Sequence, residues 1–534
     1  MAGTSLSSTT YLGGSGPDLV KAMAFDAAKN IYVVSATGSE NFPGLTRGAF
    51  AGFLYKSSMQ CVVTKLDPTA THVINSTVLP APGVTSSIYF DGVRTSDVAW
   101  SDRDCNPTAI RVDASGNIYV AGSTSLLHIE GDGNHAAANL SGTMMGFVTK
   151  LDTRRNLAYS TVIGAYTHSA ADGKNHYTGE KSKTFVTSLA LDASGKAYVG
   201  GWTDSHTLPG IAGAMQATIH SNIVAGFVTV IDTDGTAIAS TYSGGSPFDT
   251  KPLPVTTHVN EIVLDSAGNL IAVGNTNSNE LQISPDAVGK TAEHATSGFV
   301  QVLSTDLKKL VYGSFIHPGL DPACLANLPD PLTTRFVAVT DATGVSLDAT
   351  GRIYVTGTTS SPCLSVTGNA VQKYARSGSA GYLLRLDVGK ALDCATYLDL
   401  GDDVAGSMKV LTDPTLSSGG DASLYIVHSA VGAEPTVWPT YSVPAGQLRN
   451  LKTANVFLEH LAIAPDGSSS AVDSVTGLGG TYSTALMGVA IAADGKSLGI
   501  AGTTKTGDLP TSAGAVSALR DGASDGVVAL FSLP

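Results

Sequence analysis

The 534-residue sequence predicts an all-β fold: a seven-bladed β-propeller of four-stranded antiparallel blades. Three observations predict it. One hairpin sequence recurs along the whole chain, a second lies within each repeat, and no helical periodicity persists anywhere. Composition agrees. The 59 glycines suit a turn-rich chain, and 43% hydrophobic residues are ample for a core.

The first hairpin reads FDAAKNIYVVSATGS from Phe25, VDASGNIYVAGSTS from Val112 and LDASGKAYVGGWTDS from Leu191. It continues as LDSAGNLIAVGNTNS from Leu264 and LDATGRIYVTGTTSS from Leu347, with degenerate copies at Ser423 and Ala493. Anchoring the copies on Tyr32, Tyr119, Tyr198, Ile271, Tyr354, Tyr425 and Leu498 gives spacings of roughly 71 to 87 residues. β-branched and aromatic residues flank a turn in which Asp accepts backbone N–H groups and Gly takes positive φ. An Asp that recurs in every copy (Asp26, Asp113, Asp192, Asp265, Asp348) argues for a structural role, not for one catalytic centre.

The second hairpin reads CVVTKLDPTATHVINSTV from Cys61, GFVTKLDTRRNLAYSTVIG from Gly146 and GFVTVIDTDGTAIASTYSGG from Gly226, with later copies from Gly298, Gly381 and Val456. Two hairpins make a four-stranded unit. The last unit ends at DGVVALFSLP, a third strand with no fourth after it, while SLSSTTYLGG near the N-terminus resembles the fourth-strand sequence AIASTYSGG from Ala237. The expectation is one propeller over residues 1–534. An N-terminal strand at about 4–13 completes the blade formed by about 481–534, a velcro closure that leaves no exposed seam.

The phrases STTYLGGSG, VDASGNIYVAGSTS, GFVTKLD and LPTSAGAV resemble the bacterial β-propeller repeat often abbreviated SBBP. The resemblance covers nearly the whole chain and weakens in blade six and the first hairpin of blade seven. It implies a propeller and an extracellular or cell-surface setting. It carries no shared catalytic motif.

Charge excludes one class of partner. The net charge is −13 and only 14% of residues are charged, against roughly 25% in an average domain, so nucleic acid is not expected. No apolar run approaches the ~18 residues of a membrane span, so no membrane insertion is expected. The N-terminal MAGTSLSSTTYLGG has neither basic nor apolar signal-peptide region. The localisation read from these features is extracellular or cell surface, or a virion or appendage.

Tight turns join first to second and third to fourth strands on one face. The other face collects the long connections Leu79–Pro107, Gly164–Thr184, Ile316–Arg335, Gly44–Gln60, Gly131–Met145 and Ala430–Asn455. Binding residues are expected there: Tyr89, Asp91, Arg94, Trp100, Asp102, Arg103, His168, His176, Tyr177, Trp438 and Tyr441. The competing reading is that these aromatics pack the loops onto the blades. Trp202, at the end of a second strand, reads as structural.

No catalytic motif and no metal signature is present, and no cofactor is called for. The carboxylates Asp97, Asp102 and Asp104 offer oxygen ligands for Ca²⁺, against the alternative of a solvated loop. DTDG at Asp232–Gly235 lacks the remaining calcium ligands and reads as a turn. His168 and His176, with Asp172 between them, are weighed as a metal or acid–base cluster. Of the five cysteines, Cys61 with Cys105 and Cys324 with Cys363 fall near loops on the same face and are the candidate disulfides, against the reading that all five are small reduced hydrophobes, while Cys394 falls in a strand. The function expected is a non-catalytic binding or structural propeller that contacts protein or glycan through its long-loop face, as part of a larger assembly. The alternative is a glycan hydrolase or lyase with carboxylates over the central channel. That alternative predicts a funnel holding acids of raised pKa and aromatic platforms.

Overall fold

The computed structural model describes residues 4–45, 59–79, 105–125, 144–164, 166–169, 176–179, 182–219, 224–244, 255–292, 295–316, 338–364, 366–375, 378–387, 391–398, 403–415, 421–431, 454–468, 474–479, 482 and 484–534. Its strands form seven four-stranded antiparallel sheets. Blade 1 comprises Asp18–Phe25, Ile31–Thr37, Gln60–Leu66 and Val73–Val78; blade 2 comprises Asn106–Val112, Ile118–Ser125, Met144–Leu151 and Leu157–Ile163. Blade 3 holds Thr184–Leu191, Ala197–Thr203, Ala225–Ile231 and Ala237–Ser243; blade 4 holds Thr257–Leu264, Leu270–Thr276, Ser297–Leu303 and Leu310–Phe315. Blade 5 holds Thr340–Leu347, Ile353–Thr359, Ala380–Asp387 and Ala391–Leu398; blade 6 holds Asp403–Thr412, Ala422–Val431, Ala454–Ile463 and Ser474–Leu478. Blade 7 runs Thr484–Ile491, Ser497–Thr504 and Asp525–Ser532, and its fourth strand is Ser5–Leu12 from the other end of the chain.

The velcro strand behaves as a true fourth strand. Thr10 pairs with Val528 and Leu12 with Gly526. Buried Tyr11 donates its hydroxyl to Thr506 O at 3.1 Å. Tyr242 does the same to Ser205 O (2.8 Å) and Tyr397 to Ser361 O (2.9 Å) within blades 3 and 5. The outer-strand tyrosine of blades 3, 5 and 7 thus has one job: it ties that strand to the connection after the second strand.

The recurrent Asp builds the turn, as its recurrence implied. Asp113 Oδ1 accepts the N–H groups of Ser115 (3.0 Å) and Asn117 (2.8 Å), and its Oδ2 accepts Asn117 Nδ2 (2.7 Å). Tyr119, the repeat anchor, then crosses to the next blade and donates to Gly195 O at 3.1 Å. The Lys of GFVTKLD covers that ring: Lys65 Nζ lies 4.9 Å from the Tyr32 centroid and Lys150 Nζ 4.9 Å from that of Tyr119. Blade 7 corrects the sequence alignment. Its turn is one residue longer, closing from Ala492 N–H to Ser497 O, so Gly499 and not Leu498 stands at the tyrosine position. Met23 and Phe25 of blade 1 occupy that space; a Cβ on Gly499 would lie 2.1 Å from Met23 Cε.

The first strands of consecutive blades contact one another around a closed inner ring. Nearly all carry a register shift at one position: Val20/Ala22, Pro107/Ala109, Val186/Ser188, Val259/Glu261, Ala342/Gly344 and Leu486/Gly488. The bulge presses the preceding backbone against the second strand, which must yield. A Cβ on Gly201, Gly274 or Gly357 would sit 1.8 Å from the carbonyl oxygen of Phe185, His258 or Asp341 respectively. The glycine of the VAGS and VTGT segments is therefore required by a bulge in another strand. In blade 6 the shift moves to Val404/Met408, and the glycine position holds His428. This buried His428 accepts or donates at 2.6 Å to buried Glu459.

Cys61 and Cys105 form a disulfide with a Cα–Cα distance of 5.6 Å. Cys61 is the second residue of the strand Gln60–Leu66, beside the long connection that precedes it, as expected. Cys363 is disulfide-bonded. Cys324, its expected partner, lies outside the described residues. Cys394 is free and buried, and burial pushes its thiol up to about 11.

Candidate functional site

The inner ring is stitched by its bulge residues. Thr108 Oγ1 donates to Val186 O (2.8 Å), Thr187 to Val259 O (2.6 Å), Asn260 Nδ2 to Ala342 O (2.8 Å) and Thr343 to Met408 O (3.0 Å). The first three bonds run from one blade to the carbonyl before the bulge of the next; in blade 6 the acceptor is Met408, which follows the shifted register. Between blades 7 and 1, Thr503 supplies the bond to Val20 O at 3.3 Å. The blade 1 bulge residue is Lys21. It is half-buried and makes no hydrogen bond or ion pair with a described residue. Burial holds its amine below the ordinary lysine range.

One residue further along, the first strands carry Ala22, Ala109, Ser188, Glu261, Gly344, Lys409 and Gly488. The two charged members find each other across blade 5. Lys409 Nζ lies 3.1 Å from Glu261 Oε2 and donates to Thr343 O at 2.7 Å, while Val345 N–H donates to the same carboxylate at 3.2 Å. Gly344 lies between them; a Cβ there would come within 2.6 Å of Met408 O. Arg111, two residues further along blade 2, is half-buried and feels the Glu261 carboxylate. Burial lowers its guanidinium from the ordinary value, and Glu261 opposes that.

At the other end of these strands, on the long-connection side, a half-buried ledge crosses blades 3 to 5. Phe185 and Trp202 are cross-strand partners and stack with centroids 4.2 Å apart. Trp202 stacks in turn on His258 of blade 4 at 5.2 Å. The cross-strand partner of His258 is Asn275, which donates Nδ2 to Asp341 Oδ1 of blade 5 at 2.7 Å. Tyr382 donates its hydroxyl to Asp341 O at 2.9 Å. The second-strand glycines Gly201, Gly274 and Gly357 admit the carbonyls of Phe185, His258 and Asp341, so the bulges set where these three side chains start. Burial raises the Asp341 carboxyl above the usual carboxylate range, against the opposing pull of Asn275 and His258. Burial lowers the His258 imidazole, with Asp341 opposing. A stacked aromatic face continuing into an amide and a carboxylate offers a ligand one apolar platform and adjacent polar partners.

Tyr89, Asp91, Arg94, Trp100, Asp102, Arg103, Trp438 and Tyr441 lie outside the described residues, as do Asp97 and Asp104 of the calcium reading. Among the described residues no group of three metal-ligating side chains occurs. His168 and His176 lie in a short hairpin, Tyr166–Ser169 with His176–Gly179, inside the connection read as a plain insertion. There His168 pairs with Tyr177 and His176 with Ser169, so the two histidines are not register partners. Alternating Tyr, Thr and His around ADGKN is the local cause of that hairpin. Trp202, read as structural, is the centre of the ledge. The signal for the ledge was present once the repeats are aligned: Phe185, His258 and Asp341 share one register position.

No family model matches the chain, and no curated protein matches it. Among solved structures, a protein of unknown function from Dyadobacter fermentans is similar at 10% identity over 100% of both chains, with a TM-score of 0.38. A polysaccharide lyase, a PL25 ulvan lyase, matches at 7% identity over 92% of this chain and 93% of its own, TM-score 0.41. The C-terminal WD40 domain of Sif2 matches at 7% identity over 99% and 98%, TM-score 0.38. The propeller assignment rests on the sheet order itself.

Proposed function

We propose that this propeller is a binding module that holds a saccharide on the Phe185–Trp202–His258 ledge, with Asn275 and Asp341 as its polar partners. The observation that supports it is the half-exposed stack of three rings beside an amide–carboxylate pair at the long-connection end of the inner ring. Core aromatics of this fold, such as Phe227 and Tyr242, are fully covered; these are not. The SBBP-like repeats and the cysteine pairing favour work outside a reducing compartment, on a surface, appendage or virion. The loop residues named from sequence would widen the same face toward a protein or glycan partner.

A second reading is favoured by one observation. His258 and Asp341 are close enough to feel each other's charge, with burial lowering the imidazole and raising the carboxyl, and together they offer an acid and a base beside the ring platform. In that reading the ledge belongs to a hydrolase or lyase. The test is calorimetric titration of a panel of neutral and acidic oligosaccharides, followed by assay of reducing ends and of unsaturated products. The expected result is binding that Trp202→Ala weakens by about tenfold or more, with no product. Product formation lost in Asp341→Asn would establish the second reading. A glycan bound equally well by Trp202→Ala would remove the ledge from both.

A further inference from the structure

We propose that the central channel holds an oxyanion, bound by the Arg111 guanidinium below the Glu261–Lys409 pair. The inner ring has a cation excess in a chain whose net charge is −13. Lys409 and Glu261 neutralise each other at 3.1 Å. Lys21 and Arg111, on adjacent blades, then remain without an acid of their own among the described residues. Arg111 spends one N–H on Ile110 O, at 2.9 Å. Its remaining donors have no acceptor among the described residues, and a planar guanidinium left with open donors matches the forked geometry of a carboxylate, sulfate or phosphate.

The neighbours explain why an anion and not a second protein carboxylate completes the site. The position matching Arg111 is Ala24 in blade 1, Ala190 in blade 3, Val263 in blade 4 and Ser346 in blade 5, so no side chain of these blades offers a counter-charge there. Glu261 is already held by Lys409 and by Val345 N–H. The ledge lies five residues up the same strands, about 16 Å away at strand rise, so this site is separate from the proposed saccharide platform.

The test is thermal unfolding of the whole chain at constant ionic strength, with sodium sulfate replacing sodium chloride, and in parallel with sodium glucuronate. The wild type is expected to show a saturable rise in midpoint on the order of 2 °C. General salting-out also stabilises, but it does not saturate. Arg111→Gln is expected to lose the saturable part, and Arg111→Lys, which keeps charge without the fork, to need at least about fivefold more anion. Trp202→Ala should respond like the wild type. A response to sulfate alone assigns a free inorganic ion; a response to glucuronate assigns the carboxylate of a larger ligand. A saturable rise that persists in Arg111→Gln, or none in the wild type, overturns the proposal. If Arg111→Gln does not fold, Arg111→Lys decides, and a wild-type response from it overturns the fork.

Discussion

At the scale of the residue, two of the recurrent turn aspartates, Asp26 and Asp348, make the fold sensitive to acid. Asp348 Oδ1 accepts the N–H groups of Thr350 (2.9 Å) and Arg352 (3.1 Å), and its Oδ2 accepts the Tyr354 hydroxyl at 3.0 Å. Burial raises its carboxyl, but these hydrogen bonds outweigh burial and hold it below the ordinary carboxylate value. Asp26 and Asp67 are lowered in the same way. The ionised form is the bonded form. Its contribution is therefore present above the ordinary value of about 3.9 and is lost as pH falls through the lower folded value. Asp348→Asn is expected to cost about 1–2 kcal/mol at neutral pH, and to make the acid limb below about pH 4 shallower. Urea unfolding across that range checks both, and an unchanged acid limb would refute the assignment. This role was legible in the sequence because the Asp recurs in every clear copy. The roles of Glu261, Lys409 and Asp341 were not, because each is a single departure from its register and says nothing until the strands are placed side by side.

At the scale of the element, a bulge and a glycine are one device on two strands. The first strand gains a residue, its carbonyl moves onto the second strand, and a side chain there has no room. The displacement positions two sets of side chains. The displaced stretch carries Phe185, His258 and Asp341 at its start and the stitching residues Thr187, Asn260 and Thr343 two positions on. Gly357→Ala tests the pairing. Its Cβ would fall 1.8 Å from Asp341 O and 2.8 Å from Tyr382 Oη, so backbone must move. The expected cost is about 2–3 kcal/mol, the range of overpacking, together with loss of saccharide binding at the ledge. Full stability in urea would show that no bulge-imposed contact exists. From sequence this glycine reads only as a feature of the repeat. Its cause lies in another strand, and the bulge leaves no local signature in hydrophobic alternation. The four-strand count, by contrast, was readable, because alternating apolar runs and Asp-Gly turns are local properties.

For the whole molecule, ring closure needs every blade junction to hold, and the junctions are secured by different means. Blades 7 and 1 share the chain through the velcro strand. Blades 5 and 6 are pinned by buried Arg385, which forks onto Asp393 (2.7 and 2.9 Å) and donates to Ala464 O at 2.7 Å. Blades 1 and 2 meet at the disulfide, where Cys61 in the third strand of one is tied to Cys105 at the entry of the other. The sequence placed these two cysteines near each other because the repeat fixes which face each connection occupies, and the insertion Gly44–Gln60 ends just before Cys61. The bond closes a loop of 44 residues, so the chain-entropy argument assigns it about 4 kcal/mol. Cys61→Ser with Cys105→Ser is therefore expected to unfold at a clearly lower urea midpoint than the oxidised wild type. Reductant should bring the wild type down toward the double variant and leave less to lose in the variant, where only Cys363 remains to be released. Wild type and variant with one midpoint under oxidising conditions would mean that the inner-ring bonds and the velcro strand already close the ring without it. A propeller is a closed series of like interfaces, so its weakest junction sets the opening of the ring. The covalent link falls where the chain leaves blade 1 through the long Leu79–Pro107 connection, a junction at which the first-strand bulge residue is Lys21 and, among the described residues, no hydroxyl or amide at that position stitches to the next blade.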